Sequence, residues 1–347
     1  MSLSMSDAAP RRQLDLADPH WFPVDLHVPG RCFGFVNIDE GVLDRSSFLD
    51  TRIEASMSDA IPVSVSDIPS QLPEARVNWL FHTSFCGSTL ASRALHLPPY
   101  LTSLREPLVL RRLGDARHSG LPIDGLIEPT LRLLARPWHG GDTVVIKPTH
   151  ASLNIAADLL GATPSSRAVV LTSSLPDFLV SNLKKTAESQ AKIPALAERA
   201  LRASGFAQRL APEALQPPDL LCAAALQWAA QRELVHELTE RMGHARVRSM
   251  DMEWLLADLF GAMSRVADWL KVEMPPESLR QRCEQMALRN AKAMEAPYGA
   301  DRREQEKVMI EEWYRQPLAR AHSWADEWLL PAMHPDARRN PGQWASA

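Results

Sequence analysis

Two unbroken β-branched runs limit what this chain can become. TVVIKP (Thr143 to Pro148) and RAVVLTSS (Arg167 to Ser174) have strand length and no polar alternation. That fits strands buried on both faces. Helix-like segments lie between and after them, Ala151 to Leu160 and Asp177 to Lys185. Val77, Trp79, Leu80 and Phe81 form an earlier apolar run, Tyr100 to Leu104 another, and Ala245 to Asp251 a fifth. Strands alternating with helices predict an α/β fold around a parallel sheet of about five strands with right-handed crossovers. Ligands of such sheets sit outside the carboxyl ends of the strands, where Gly87, Glu106, Lys147 and Asp177 would gather.

The rest of the chain divides around that core. Residues 1–18 are polar and are expected to be a disordered tail. From Trp21 to about Ile53, VDLHV and RCFGFVNI flank the turn signal Pro29-Gly30, so 19–75 is read as a small β appendage. Its last part, Glu54 to Glu74, is rich in Ser, Asp and Pro and reads as a linker. The main domain is expected over 76–333, with a helical C-terminal half, and 334–347 as a tail. Asp219 to Arg241 carries Leu221, Ala224, Trp228, Val235 and Leu238 on one face. Trp254 to Leu270 repeats the pattern, and Arg302 to Leu330 carries Trp313, Tyr314, Trp324 and Trp328, read as core aromatics.

Composition narrows the partners. A net charge of −4 gives no electrostatic case for nucleic acid or a membrane surface, so only local positive clusters can matter. Four dispersed cysteines (Cys32, Cys86, Cys222, Cys283) form no C-x-x-C pair. Neither a zinc site nor a disulfide framework is expected, and a reducing cytoplasm is the natural compartment. No long apolar run suggests a membrane segment.

One stretch carries the chemistry: RVNWLFHTSFCGSTLASRAL, from Arg76. A strand enters a small polar loop, Thr83 to Gly87, and Ser88-Thr89 open a helix. Helix-start N–H groups lack partners and carry partial positive charge, so this is the architecture of an anion cradle. It can equally be an ordinary strand-to-helix connection capped by a hydroxyl. It is not a nucleoside-triphosphatase loop, having one glycine and no lysine.

The residues HTSFCGSTLASRAL resemble the 5′-phosphosulfate loop of sulfotransferases, with Cys86-Gly87-Ser88-Thr89-Leu90 on its core. Asp177 to Ser181 is similar to the segment where that family holds the 3′-phosphate. Asp251, after the last strand, matches an acidic position there, although capping of the next helix explains it as well. The resemblance implies a P-loop-type three-layer α/β fold. It further implies transfer of a sulfuryl group from 3′-phosphoadenosine 5′-phosphosulfate to a hydroxyl or amine of a small-molecule or peptide acceptor.

On that resemblance the donor would be held by Ser84, Phe85, Cys86, Gly87, Ser88 and Thr89, with Ser173, Ser181, Lys292, Tyr298 and Arg302 toward the 3′-phosphate. Glu106 would be the general base, its carboxyl raised by burial and opposed by Arg105. Lys147 would stabilise the bridging oxygen. No metal is required. Two positions depart from the family: Phe85 and Ser173 stand where cations are usual. A catalytically inactive anion-binding or protein-interaction module therefore remains as the alternative. His82 and His150 flank these elements as structural or sulfate-contacting residues, and the aromatic C-terminal helix is compatible with a homodimer.

Overall fold

The two β-branched runs pair in parallel on either side of the strand that feeds the polar loop. In this computed structural model, which describes residues 14–53, 59–140, 143–290, 293–297 and 300–341, a small antiparallel sheet comes first. It is built of β1 (Trp21–His27), β2 (Cys32–Asn37) and β3 (Ile61–Ser64). The main sheet holds β4 (Arg76–His82), β5 (Leu101–Arg105), β6 (Thr143–Lys147), β7 (Ala168–Thr172) and β8 (Val247–Asp251). Its order is β5-β6-β4-β7-β8, and every pair is parallel. The five expected strands are therefore present.

Period-two alternation sorts their side chains into two cores. Trp79, Phe81, Val144, Ile146 and Val170 join one cluster with the small sheet and the helices Leu108–His118, Ile127–Leu134 and Ala156–Ala162. Leu80, Val145, Val169, Leu171 and Met250 join another under the helices Ser88–Leu95, Leu259–Leu270 and Pro276–Ala287. A third cluster, around the long helix Leu220–Met242, binds Leu175–Leu183, Ile193–Ala203 and Arg315–Trp324. Among the described residues no helix is long and apolar enough to cross a membrane.

Several expectations are corrected. Part of the supposed linker is β3, paired along β2 from Cys32–Ser64 to Phe35–Ile61. The small sheet packs into the same cluster as the main sheet, through Phe22, Phe33 and Phe35. The helix expected over Trp254–Leu270 breaks at Asp258, whose carboxylate accepts from Gly261 N (2.8 Å) and starts a new helix. Arg302–Leu330 divides at Tyr314, and Pro317 sits in the first turn that follows, where a missing N–H is tolerated. Trp313 is 70% exposed and Tyr314 40%, whereas Trp324 and Trp328 pack on the third cluster as expected. Within the expected tail the described residues reach 341, and of these Ala337 is buried, its carbonyl accepting from Arg232 Nε (2.9 Å).

Two buried arginines bind the N-terminal segment to the sheet. The short helix Glu40–Arg45 ends in carbonyls that have no partners within it. Arg93 reaches Asp44 O and Arg45 O (both 2.9 Å), and Arg105 reaches Ser46 O (2.8 Å) and Leu43 O. Burial, with Arg93 nearby, lowers the Arg105 guanidinium to about 9. The following loop is stitched to the chain on both sides of Glu106: Leu49 N donates to Arg105 O (2.6 Å), and Leu108 N donates to Leu49 O (3.0 Å). Replacing Arg105 by Met should cost about 3 kcal/mol or more, since several buried carbonyls lose their donor at ~1–3 kcal/mol each. Chemical denaturation measures this, and protease cutting within 40–53 should accelerate. A loss under about 1 kcal/mol would contradict the capping role.

Candidate active site

At the end of β4 the chain turns through Thr83–Gly87 into the helix Ser88–Leu95. Gly87 has φ of 74°, and a Cβ there would stand 2.9 Å from Leu255 Cδ2, so glycine is required twice over. Phe85 also takes a left-handed φ, 58°, which is costly for an aromatic residue. The loop is braced from below by the long helix. Ser84 N donates to Gln231 Oε1, and Gln227 Nε2 donates to Ser84 Oγ, both at 3.3 Å. Cys86 Sγ donates to Thr83 O (3.1 Å). The helix has no side-chain cap, so its first N–H groups are directed at the space beyond Gly87.

Glu106 follows β5 with φ of 52°, and its N–H donates to Lys147 O at 2.6 Å. Its carboxylate accepts from Lys147 Nζ at 2.5 Å, and His82 Nε2 lies 3.8 Å away. His82, Glu106 and Lys147 thus mark the carboxyl ends of β4, β5 and β6, three neighbouring strands. Burial alone would raise the Glu106 carboxyl, but the charge and hydrogen bond of Lys147, together with His82 and His150, lower it to about 2. The sequence expectation is corrected in sign and in partner. Arg105 faces away to its carbonyls, and the charge beside Glu106 comes from Lys147.

The two histidines stay neutral at ordinary pH. Burial, then the charge of Lys147, lowers His82 to about 3, and burial lowers His150 to about 4. His82 Nδ1 lies 2.7 Å from Thr83 O, which can only accept, so the ring carries its proton there and Nε2 is a bare acceptor. Nε2 of His82 and of His150 are both buried without a hydrogen-bond partner among the described residues.

These groups border a cleft of about 520 Å³. Ser84, Phe85, Cys86, Gly87, Ser88, Thr89 and Glu106 all line it. Lys147 stands behind Glu106 with no exposed surface and does not line it. Ser173 is buried elsewhere, its carbonyl accepting from Trp228 Nε1 (2.9 Å). Ser181 also lies outside the lining; Asn182 and Lys185 enter from that end of its helix. Arg302 pairs with Glu306 (3.3 Å) while Arg303 lines the cleft. Asp177 is held by Lys307 (2.8 Å), and Asp251 caps the next helix through Glu253 N (2.8 Å). Lys292 and Tyr298 lie outside the described residues.

Among the described residues five cations face the cleft, Arg52, Lys185, Lys192, Arg289 and Arg303. Lys185 Nζ sits over the Phe85 ring at 5.0 Å, so a cation stands in space where the loop sequence lacks one. Arg52 was not foreseen. Its guanidinium stacks on Phe48 (3.8 Å), is paired with Asp50, and comes from the loop stitched around Glu106. No local pattern marks Phe48 and Arg52, because only the tertiary path brings them to the site.

No family model matches the chain, and no curated protein matches it. Among solved structures it is similar to a sulfotransferase from Alicyclobacillus acidocaldarius at 16% identity, over 73% of this chain and 99% of that one, with a TM-score of 0.38. A sulfotransferase from Mycobacterium avium gives 12%, 74%, 78% and 0.40 in the same measures. Retinol dehydratase in complex with retinol and PAP gives 12%, 81%, 86% and 0.38. The chain is similar to sulfotransferases of solved structure.

Acid should unfold this site early. His82 and His150 are lowered from 6.5 in the fold, so the unfolded chain binds more protons and stability falls as pH drops below about 6.5. Glu106 is lowered from 4.5, so its contribution is full above that value and is lost as pH falls toward 2. Unfolding free energies measured between pH 8 and pH 3.5 should fall throughout the acid range, and Glu106→Gln should flatten the part below about pH 4.5. An unchanged slope in that variant would show that the carboxylate is not held ionised by Lys147.

Proposed function

We propose that this cleft transfers a sulfuryl group from 3′-phosphoadenosine 5′-phosphosulfate to a hydroxyl or amine acceptor. The observation that carries the reading is the Glu106 carboxylate, held ionised by Lys147, in the same cleft as a glycine-hinged helix N-terminus. In the proposed step the acceptor atom forms a bond to sulfur while the sulfur–oxygen bond to the 5′-phosphate breaks. The leaving oxygen keeps the electron pair, and the acceptor's proton passes to Glu106. Adenosine 3′,5′-bisphosphate departs.

The residues divide the work as follows. N–H groups at Ser88 and Thr89 receive the transferring group's oxygens. Lys185, over Phe85, neutralises charge that develops on the leaving oxygen, in place of the missing loop cation. Lys147 acts as a positioning residue, fixing and ionising Glu106 rather than meeting the donor. A carboxyl near 2 is a weak base, yet by analogy with phosphoryl transfer a loose transition state asks little proton abstraction before bond making. The base then needs chiefly to be ionised and in reach. Arg289 and Arg303, which line the cleft, supply positive charge for the distal phosphate. The apolar wall, with Phe48, Ile193 and Leu196, supports an acceptor with an apolar body.

Calorimetric titration with adenosine 3′,5′-bisphosphate, against AMP and ATP, tests the donor site. Micromolar binding of the bisphosphate with much weaker AMP is expected, and failure of all three nucleotides on folded protein would overturn the reading. Glu106→Gln keeps an oxygen for Lys147, so bisphosphate binding should persist while transfer from labelled donor falls about 10²–10⁴-fold. Bisphosphate binding without transfer to any acceptor would leave an anion-binding module.

A further inference from the structure

Away from the cleft, three potential ligands converge where the C-terminal strap crosses the long helix. His236 lies on Leu220–Met242, while His334 caps the short helix Pro335–Arg338 and Asp336 sits in its first turn. One ligand atom from each lies within 4.8 Å of the others. The imidazoles of His236 and His334 stack nearly parallel, at 3.9 Å and 13°, so one ring has to tilt for both nitrogen lone pairs to point at a common ion. We propose that His236, His334 and Asp336 bind one divalent transition-metal ion of the zinc class, which clips the strap to the central helix.

The two halves of the site are far apart in sequence but held in register by neighbours on the same helix. His334 N donates to Glu233 Oε1 (2.6 Å), and Glu233 is itself fully buried and paired with Arg209. One position earlier, Arg232 donates to Ala337 O (2.9 Å) and to Arg339 O. Arg232 and Glu233 therefore hold the strap on the turn that precedes His236. The ligands do not have to be gathered from a mobile chain, and that lowers the ordering cost of binding.

The surroundings leave the donor atoms available. Asp336 directs Oδ1 toward Arg339 Nη1 (3.5 Å), leaving Oδ2 on the side of His334 Nδ1 (3.8 Å). Among the described residues that Nδ1 accepts one hydrogen bond, a long one from Asp336 N (3.3 Å), which an ion bound at Nδ1 would displace. His236 makes no hydrogen bond among the described residues. Two imidazoles and one carboxylate suit Zn²⁺, Co²⁺ or Ni²⁺; hard ions such as Mg²⁺ and Ca²⁺ prefer oxygen cages. The half-buried histidines and exposed aspartate leave a fourth position to water.

The test uses the full chain without a histidine tag, stripped with chelator and titrated with CoCl₂. One equivalent should bind with a visible ligand-field band, be displaced by ZnCl₂, and raise the thermal midpoint reversibly, while MgCl₂ does neither. His236→Ala and His334→Ala should each abolish the band and the metal-dependent shift. Asp336→Asn, the mildest change, should weaken Co²⁺ binding roughly tenfold or more. His244→Ala, on an exposed histidine outside the cluster, should leave binding intact. The proposal is overturned if the stripped protein takes up no equivalent, or if binding survives Asp336→Asn and both histidine variants unchanged.

Discussion

The contact between Glu106 and Lys147 organises the functional end of the sheet. It joins the ends of β5 and β6 twice, once through side chains and once through the backbone bond from Glu106 N to Lys147 O. A buried ion pair is weak evidence of stabilisation, because desolvating both charges offsets much of their attraction. Its consequence here lies in protonation. The lysine keeps the carboxylate charged, helps to keep His82 neutral, and thereby leaves bare acceptor atoms at the floor of the cleft. The left-handed backbone at Glu106 aims the side chain there, and backbone strain of that kind persists only where surrounding structure holds it. The stitched loop at Leu49 provides that hold.

Electrostatics at the site depends on space more than on sequence order. The chain is acidic overall, with a net charge of −4, yet five cations converge on one cleft. Even with the Glu106 carboxylate among them, five cations leave the cleft positive, and such a cleft concentrates anions although the whole molecule repels them. The substitution of Phe85 for a loop cation becomes intelligible in the same way. The aromatic ring packs edge-on against Phe178 and offers its face to Lys185, so a lysine just past the end of the helix Leu175–Leu183 occupies the volume above the loop.

Much of the fold was legible in the sequence because buried parallel strands write a strong signal. TVVIK and AVVLT have no polar face to obscure them, and the glycine after a strand marks the loop at once. The partners of charged residues were not legible. Arg105 and Lys147 both adjoin Glu106, one along the chain and one across the sheet, and strand pleating sends the neighbour in sequence to the opposite side. Helix ends were misplaced where a single residue, Asp258 or Tyr314, interrupts an otherwise continuous apolar pattern. Phe48 and Arg52 were hidden for a different reason: they lie in an irregular loop, where no periodicity exists to be read.

The capping of the helix Glu40–Arg45 by Arg93 and Arg105 bears on how such a chain can be divided. Four carbonyls of the N-terminal segment are the ligands of two guanidinium ions that belong to the sheet and to the loop helix. A fragment cut to begin at β4 would strip those ions of the carbonyls that coordinate them. The change of composition near residue 75 thus falls within one hydrophobic cluster, to which both sides contribute. A piece of the chain without the earlier segment would also lack the core contributed by Phe22, Phe33 and Phe35, as a cavity lacks a wall.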